Sequence, residues 1–300
     1  MATNYSDLIP VTIAREIVET VSERESQLAR LSRVVRMPSG VEKVPVVSAA
    51  PTAGFVNPTY GGLKPSSNVD WTSEVLTASE IGVIVPVPNA FLDDTSYPVW
   101  DSVRSEITKS FTKVFELAAL YGTSAPVDWP TGGLTAAAQA DAVTGADALK
   151  AIDAALSNLE GKGITPDGIL GGSALRAALR DQMVTTMQPF SEAPAALYGV
   201  PTVFSPWWND AVGLALVGGF EDVLIGVRED LTFDTSEDAV ISDSSGNVVA
   251  NMFQQDSTAM RAYWRVALQL AVPLGPTGTA VKPLALAKVG VAAAAARKGK

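Results

Sequence analysis

Cysteine and histidine are both absent from the 300 residues of this chain. Without cysteine, the protein has no disulfide, no thiolate nucleophile and no cysteine-bound metal. Without histidine, it lacks the usual general base near neutral pH, the Ser-His-Asp triad and the common zinc and iron sites. The enzyme classes that remain are those that work with carboxylates alone, such as glycoside hydrolases and magnesium-dependent enzymes.

Long hydrophobic runs are missing as well. The longest apolar run, residues 289–296, is much shorter than the roughly 18 residues that suggest a membrane span. The first ten residues have no basic region, so we expect no signal peptide. The chain contains no GxGxxG, Walker or GxSxG motif, which argues against the common nucleotide-binding and hydrolase sites.

An excess of positive charge is also lacking, since the formal net charge is −10. Residues 128–240 hold 16 acidic and 5 basic side chains, whereas the rest of the chain holds 16 acidic and 17 basic ones. This distribution argues against a dedicated nucleic-acid reader, which carries a basic face. It is typical of a solvated acidic surface on the middle third of the chain.

What the chain does have is enough apolar material for a large core. Hydrophobic residues make up 47% of the sequence, and the mean hydropathy is +0.20. A chain of this length and composition predicts one large globular domain or two smaller ones.

The strongest local pattern is a helix over residues 97–122, which would be about 36 Å long. Pro98 suits its first turn, Ser96 could cap it, and Gly122 could end it in the left-handed conformation. Spacings of three and four residues put one apolar stripe on it: Trp100, Val103, Ile107, Phe111, Val114, Phe115 and Ala118. Most polar residues, including Thr108 and Thr112, are expected on the other side. The pattern by itself also fits an ordinary core helix.

The N-terminal part predicts a short helix over residues 8–21, followed by a segment, 26–37, that could be a helix or an extended arm. Arg30, Arg33 and Arg36 recur at every third position in this segment. A nucleic-acid contact is conceivable there, but nearby glutamates cancel the charge.

Residues 37–75 are rich in proline, glycine, serine and threonine, and predict an extended two-stranded arm with its tip near Gly61, Gly62 and Pro65. A segment this long without a core pattern suggests a function or contact with a neighbour. Its large apolar side chains are expected to be exposed on a single chain and covered by another subunit: Phe55, Tyr60, Leu63 and Trp71.

The β-branched run at residues 81–88 predicts a buried strand before the long helix. A second, α/β-like region opens near Ala136. It is predicted to contain a helix over 146–163 closed by Gly161, and a helix over 173–183 with Ser173 as its cap. The predicted strands are 167–172, 198–205, 212–220, 222–229, 231–238 and 257–273, the last as one strand or a pair.

No carboxylate pair has the spacing of a catalytic dyad. Asp93 and Asp94 come just before the long helix, where negative charge favours the positive helix end. Glu221 and Asp222 are expected in a turn between two strands. The sequence therefore predicts no catalytic, cofactor-binding or metal-ligating residue, and no cofactor.

The order of these elements resembles the major capsid proteins of tailed bacteriophages, which have the Hong Kong 97-type fold. Three stretches carry the resemblance over about residues 8–289. IPVTIAREIVETVSERESQLARLSRVVRMPSGVEKVPV is similar to the family's N-terminal arm, and MRAYWRVALQLAVP to its returning peripheral strand. LYGVPTVFS followed by LVGGFEDVLIGVREDLTF is similar to a recurrent family pattern.

The resemblance implies an α+β fold with named parts. These are an N-arm (1–40), an extended E-loop (41–80), a peripheral domain (81–127) with the spine helix (97–122), an axial domain (128–240), a return to the peripheral domain (241–288) and a C-terminal tail (289–300). The acidic excess falls in the axial domain, and the interior-facing N-arm and spine are near neutral, which suits DNA packaging.

The function implied by the resemblance is structural rather than enzymatic. The chain is expected to self-assemble into hexamers and pentamers of an icosahedral shell around the double-stranded DNA of a tailed phage. Its expected partners are copies of itself, portal, separate scaffolding and decoration proteins, and packaged DNA through non-specific contact, with no membrane. Assembly is expected in the host cytoplasm, and the final location is the virion.

Two family features are expected to be absent. Some members carry a scaffolding domain ahead of the arm, but here the arm begins almost at Met1, so we expect a separate scaffolding protein or none.

Other members join subunits by a Lys–Asn isopeptide bond that a glutamate promotes. Lys64 is the only lysine at the predicted tip, Asn247 and Asn251 are poor candidates, and no glutamate follows Glu237. We therefore expect no crosslink.

Two alternative functions remain open at this point. An encapsulin-type bacterial nanocompartment would share the fold but package protein cargo. A carboxylate-dependent enzyme or a carbohydrate-binding protein is a more remote alternative.

Overall fold

The computed structural model describes residues 26–56, 64, 66–94, 98–185, 196–275 and 278–289. Within these residues the predicted mixture of helix and sheet is confirmed. The predicted helix at 8–21, the loop tip with Tyr60, Gly61, Gly62, Leu63 and Pro65, the capping Ser96 and the tail beyond Val289 all lie outside the described residues.

Six α-helices are described: α1 Gln27–Leu31, α2 Asn89–Asp94, α3 Val99–Tyr121, α4 Gly133–Ala138, α5 Ala148–Gly161 and α6 Ser173–Thr185. The described strands are β1 Arg33–Arg36, β2 Val41–Ala49, β3 Asp70–Thr77, β4 Ser79–Pro88, β5 Val143–Gly145, β6 Gly168–Gly171, β7 Ala196–Leu197, β8 Val200–Phe204, β9 Ala215–Gly218, β10 Val223–Ser236, β11 Val240–Ser242, β12 Val248–Asn251, β13 Ser257–Leu270 and β14 Leu284–Val289.

The long helix is confirmed as α3, and Gly122 ends it with a φ of 68° and an N–H bond to the carbonyl of Ala118. Pro98 lies at the N-cap position rather than in the first turn. Val114 is wrongly placed in the predicted stripe, since it is 47% exposed. Thr108 and Thr112 are buried instead. Their hydroxyls donate to carbonyls one turn back, which removes the cost of burying them.

A four-stranded sheet in the order β1-β10-β13-β4 lies against α3. β1 runs parallel to β10, and the other neighbours are antiparallel. The sequence predicted either a helix or an extended arm for the segment 26–37. The structure contains both, since helix α1 is followed by strand β1. The ring of Phe115 on α3 meets Trp264 on β13 edge-on at a centroid distance of 5.2 Å. This contact lies in the centre of the largest apolar core.

The strand at 81–88 is not buried on both faces, contrary to the prediction. It forms the edge strand β4, and its residues alternate between half-buried and exposed, with Ile84 on the exposed face. Pro86 and Pro88 fit an edge position, because a proline cannot donate to a neighbouring strand. The dense run of β-branched residues hid this alternation in the sequence.

A six-stranded sheet in the order β5-β14-β9-β6-β8-β7 forms the second layer. Helices α5 and α6 cover it with a separate apolar cluster. Gly161 is the last residue of α5 rather than the residue beyond its end, and Ser173 begins α6 instead of capping it. Every residue of β6 and β9 is buried, which explains their continuous apolar sequence.

Each sheet contains strands from both sides of residue 240, and the predicted division of the chain at that residue remains a prediction. β10 joins 222–229 and 231–238 into one strand, and it belongs to the four-stranded sheet although it precedes residue 240. β14 belongs to the six-stranded sheet although it lies in the segment predicted to return. The single long strand at 257–270 is confirmed as β13.

Candidate functional site

A buried carboxylate joins three distant parts of the chain. Glu116, on α3, has no exposed surface. Its Oε1 accepts hydrogen bonds from Ser26 Oγ at 3.0 Å, the Gln27 amide at 2.7 Å and the Leu28 amide at 3.3 Å. Its Oε2 accepts one from Ser205 Oγ at 2.5 Å. Glu116 therefore ties α3 to the start of α1 and to the end of β8.

These four donors offset the cost of burying the charge of Glu116. The two amides belong to the first turn of α1, where backbone N–H groups have no partner within the helix. No ion pair of Glu116 occurs among the described residues. No local pattern predicts this junction, because Glu116 is about 90 residues from each serine. The helical periodicity also places Glu116 away from the predicted apolar stripe, on the side expected to be polar.

The arm at residues 41–77 is a hairpin of β2 and β3, as predicted. Its base packs on the four-stranded sheet through Leu76, which is fully buried beside Met37, Leu224 and Ala267. Gly226 on β10 permits this packing, since a Cβ there would lie 2.4 Å from the sulfur of Met37. The base of the hairpin is thus fixed to the body of the protein.

Beyond its base, the hairpin presents apolar side chains to solvent. Trp71 is 65% exposed, and Phe55 is fully exposed. The predicted exposure of these two aromatic residues is confirmed. At the base itself, Val41 and Val75 are also exposed. Isolated two-stranded hairpins are only marginally stable in water, so this surface is suited to being covered by a partner.

A second, smaller hairpin of β11 and β12 also exposes apolar side chains. Val240, Val248, Val249 and Phe253 are all exposed on or beside it. A polar turn at 243–247 joins the two strands, and the Asp243 carboxylate accepts from the amides of Ser245 and Asn247. Its backbone and side-chain bonds lower the pKa of Asp243. Sequence reasoning did not find the apolar surface around this turn.

Two of the three arginines of the N-terminal segment have side-chain partners among the described residues. Arg36 forms an ion pair with Asp230 at 2.5 Å, and Arg30 donates to the side chain of Gln27 at 3.0 Å. The charge of Arg33 partly opposes the rise in the pKa of Asp222. The nucleic-acid contact that their spacing suggested remains a prediction.

A small acidic group lies where the chain passes from the six-stranded sheet to the four-stranded one. Residues Phe220–Asp222 form a 3-10 turn between β9 and β10, which agrees with the predicted turn. The Asp167 carboxylate accepts from the amides of Phe220 and Glu221 at 2.6 and 2.9 Å. Burial, with a contribution from the charges of Asp167 and Glu221, raises the pKa of Asp222 to about 6.

The position of Asp93 and Asp94 at the positive end of the long helix remains a prediction. They are the last two residues of α2, and Pro98 and the residues before it separate them from α3. Among the residues that the structure describes, no group of three or more aspartate or glutamate side chains could hold a metal ion. In the same part of the chain, no helix is long and apolar enough to cross a membrane.

Comparison with known proteins decides the family. Residues 6–275 match the model of the phage capsid family. The chain belongs to the phage capsid family. The major capsid protein of Staphylococcus phage 80alpha is 23% identical over 268 residues, which are 85% of this chain and 79% of that protein.

Solved structures agree with this capsid assignment. A chain from Microbacterium phage Oxtober96 is 28% identical with a TM-score of 0.75, covering 89% of this chain and 91% of that one. A chain from Mycobacterium phage Cain has a TM-score of 0.77 at 24% identity, covering 93% of this chain and 99% of that one, which supports the shared fold.

The family resemblance predicted from the sequence is therefore confirmed, and so is the role of a structural capsid protein. The encapsulin-type alternative is not favoured, because these relatives are phage proteins. The enzyme and carbohydrate-binding alternatives are not favoured either, because the family is one of structural proteins.

Proposed function

We propose that this capsid protein self-assembles into hexamers and pentamers of an icosahedral shell that encloses the double-stranded DNA genome of a tailed phage. In this proposal the β2–β3 hairpin is the E-loop and lies over a neighbouring copy. The N-arm lies beneath a neighbour, and loops of the six-stranded layer close the rings.

The observation that carries the proposal is the exposed hairpin. Trp71 and Phe55 are exposed on a two-stranded element that packs on the body of the protein through its other face, with Leu76, Val44 and Val46. Soluble monomers rarely expose such a contiguous apolar surface, whereas the cores of subunit interfaces are rich in aromatic residues. A neighbouring copy in a shell would cover it.

The sheet topology supports a modified division of the chain. The peripheral domain is built around α3 and the four-stranded sheet, and it includes β10 and β13. The axial domain is the six-stranded layer with α5 and α6, and it includes β14. In this division the Phe220–Asp222 turn is the passage between the two domains.

The charge distribution supports the proposed relation to DNA. The negative excess lies in residues 128–240, while the remainder of the chain is close to neutral. A near-neutral inner wall neither binds DNA tightly nor repels it strongly. Portal, scaffolding and decoration proteins complete the set of proposed partners, and assembly takes place in the host cytoplasm.

Electron microscopy and light scattering of the purified protein test the proposal. We expect closed or partial shells from the unaltered chain. Trp71→Ser should fold normally but yield at least about tenfold fewer shells, because the hairpin loses its largest interface side chain. The control is Val127→Ser, which removes an apolar side chain that is 99% exposed and lies outside the hairpin. A protein that stays monomeric at 31.3 kDa under all assembly conditions would contradict the proposal.

A further inference from the structure

Residues 26–37 form a strap that runs from one layer of the molecule to the other. The strap begins with α1, which contacts both α3 and the six-stranded layer. It continues as β1 along the edge of the four-stranded sheet and ends at Met37, just before the hairpin. The strap therefore connects residues 1–25, the first part of the proposed N-arm, with the base of the hairpin.

The first residues of the strap are held by the buried carboxylate of Glu116. Its Oε1 accepts from the hydroxyl of Ser26 and from the amides of Gln27 and Leu28, and the Leu28 side chain is fully buried in the largest core. Its Oε2 accepts from Ser205, which follows β8 in the six-stranded layer. One carboxylate thus binds the strap to both layers, directly after residue 25.

The middle of the strap fits closely against both layers. Gly168, the first residue of β6, leaves room for Leu31, since a Cβ on residue 168 would lie 3.1 Å from Leu31 Cδ1. The four residues of β1 then pair with β10 in an unbroken parallel register. Residues 26–37 contain no glycine, so the strap lacks the residue type that gives a backbone the most freedom.

The last residue of the strap lies beneath the hairpin. The Met37 amide donates to the carbonyl of Val227 at 2.9 Å. The Met37 side chain is buried in one cluster with Leu76 of the hairpin base. Because the strap is fixed at both ends, it has one position relative to the body and to the hairpin.

We propose that Glu116 is a positioning residue for assembly, which fixes the place and direction in which residues 1–25 leave the body. The strap relates this direction to the base of the hairpin. The neighbour reached by the N-arm and the neighbour reached by the hairpin are then held at one angle to each other. The inference rests on the proposed shell function and names the element that sets the curvature of the shell.

A constant angle between copies decides whether a shell has one size. Contacts between different surfaces of the same chain close when the rotation between copies fits, and they extend into open assemblies when it does not. An N-arm with a loose root reaches its neighbour at several angles and loses more freedom on binding. Loosening the root should therefore change the size and shape of the particles more than their number.

Ser26→Ala loosens the root and leaves residues 1–25 unchanged. It removes one donor to Glu116 and the side-chain cap of α1. In electron micrographs of shells formed by the purified chain, we expect the spread of particle diameters to widen at least about twofold, because the angle between copies is less constrained.

The matched control is Ile152→Val, in the separate core under α5. Losing one buried methyl group there and losing a helix cap at Ser26 lower stability by similar amounts. Urea denaturation of unassembled subunits checks the match. Since the strap is not touched, Ile152→Val should leave the spread of diameters unchanged.

Two substitutions of Glu116 give a second reading. Glu116→Ala removes the acceptor and should yield a mixture of closed and open particles. Glu116→Gln keeps an oxygen that accepts from α1, and its amide group can donate to Ser205, so it should restore uniform shells. Ser26→Ala decides the question if Glu116→Ala gives too little folded protein.

The outcomes separate this inference from the shell function. Uniform shells from Ser26→Ala would overturn the inference, although the shell function would stand. An equal widening in Ile152→Val would also overturn it, because the effect would then follow from lost stability and not from the strap. If the unaltered chain forms no shells, both proposals are wrong.

Discussion

At the scale of single residues, Glu116 joins α3, α1 and the end of β8 through four hydrogen bonds. We expect Glu116→Ala to lower the free energy of unfolding by about 3 kcal/mol, because it leaves Ser205 and the first amides of α1 without an acceptor. Urea denaturation of unassembled subunits measures this loss. Glu160→Gln, at an exposed position of α5, is the control and should change stability by less than about 0.5 kcal/mol.

If Glu116→Ala unfolds at the same urea concentration as the unaltered chain, the junction does not hold these segments together. Hydrogen exchange gives an independent reading. The amides of Gln27 and Leu28 should exchange faster in the variant, because they lose their bonds to the carboxylate.

The raised pKa of Asp222 predicts that the stability of the subunit depends on pH. Its pKa in the folded protein is raised from 3.8 to about 6, so folding disfavours its charged form. The resulting loss of stability is absent below about pH 4, develops as the pH rises towards 6, and stays constant above it. Asp222→Asn removes the charge and should stabilise the subunit by about 1 kcal/mol at pH 7.5, after allowance for partial solvent exposure.

Thermal unfolding of both forms between pH 4 and pH 8 measures this effect. The stabilisation by Asp222→Asn should shrink towards zero near pH 4. A difference that does not change with pH would show that the gain does not come from the ionisation of Asp222.

At the scale of elements, only part of the apolar stripe predicted for α3 lies in the core. Phe111 is buried against the sheet, and Val114 is largely exposed on the same helix. We expect Phe111→Asp to prevent folding, since it buries an unpaired charge and removes an aromatic ring, at a cost of more than about 4 kcal/mol. Val114→Asp should cost less than about 1 kcal/mol. Yield of soluble protein and circular dichroism compare the two, and equal behaviour would contradict the packing described for α3.

Most elements could be predicted because their residues are periodic. The bounds of α3 followed from its stripe and from Gly122, and β13 followed from its alternation. Periodicity failed where polar residues are satisfied inside the fold, as at Thr108, Thr112 and Glu116. It also failed at β4, where β-branched residues occupy both faces of an edge strand.

Contacts between distant segments could not be read from local pattern. The sheet membership of β10 and β14 depends on pairings across tens of residues. The exposed hairpin was predictable, because its composition differs from that of the core on either side.

At the scale of the whole molecule, the chain combines a body of two packed sheets with a hairpin anchored at its base. The body has continuous apolar cores around Phe115 and Leu175, whereas the hairpin exposes Trp71 and Phe55. Because the cores lie in the body and the exposed apolar side chains on the hairpin, a single chain can fold stably. The apolar surface of the hairpin then remains available for contact with a neighbouring copy. The central claim is that the hairpin is an assembly element.

An electron cryo-microscopy reconstruction of particles formed by the purified protein tests this claim most directly. The account predicts a closed shell in which the hairpin of each copy lies against a neighbouring copy and Trp71 is buried at that contact. A shell held together by other surfaces, with Trp71 still in solvent, would contradict it.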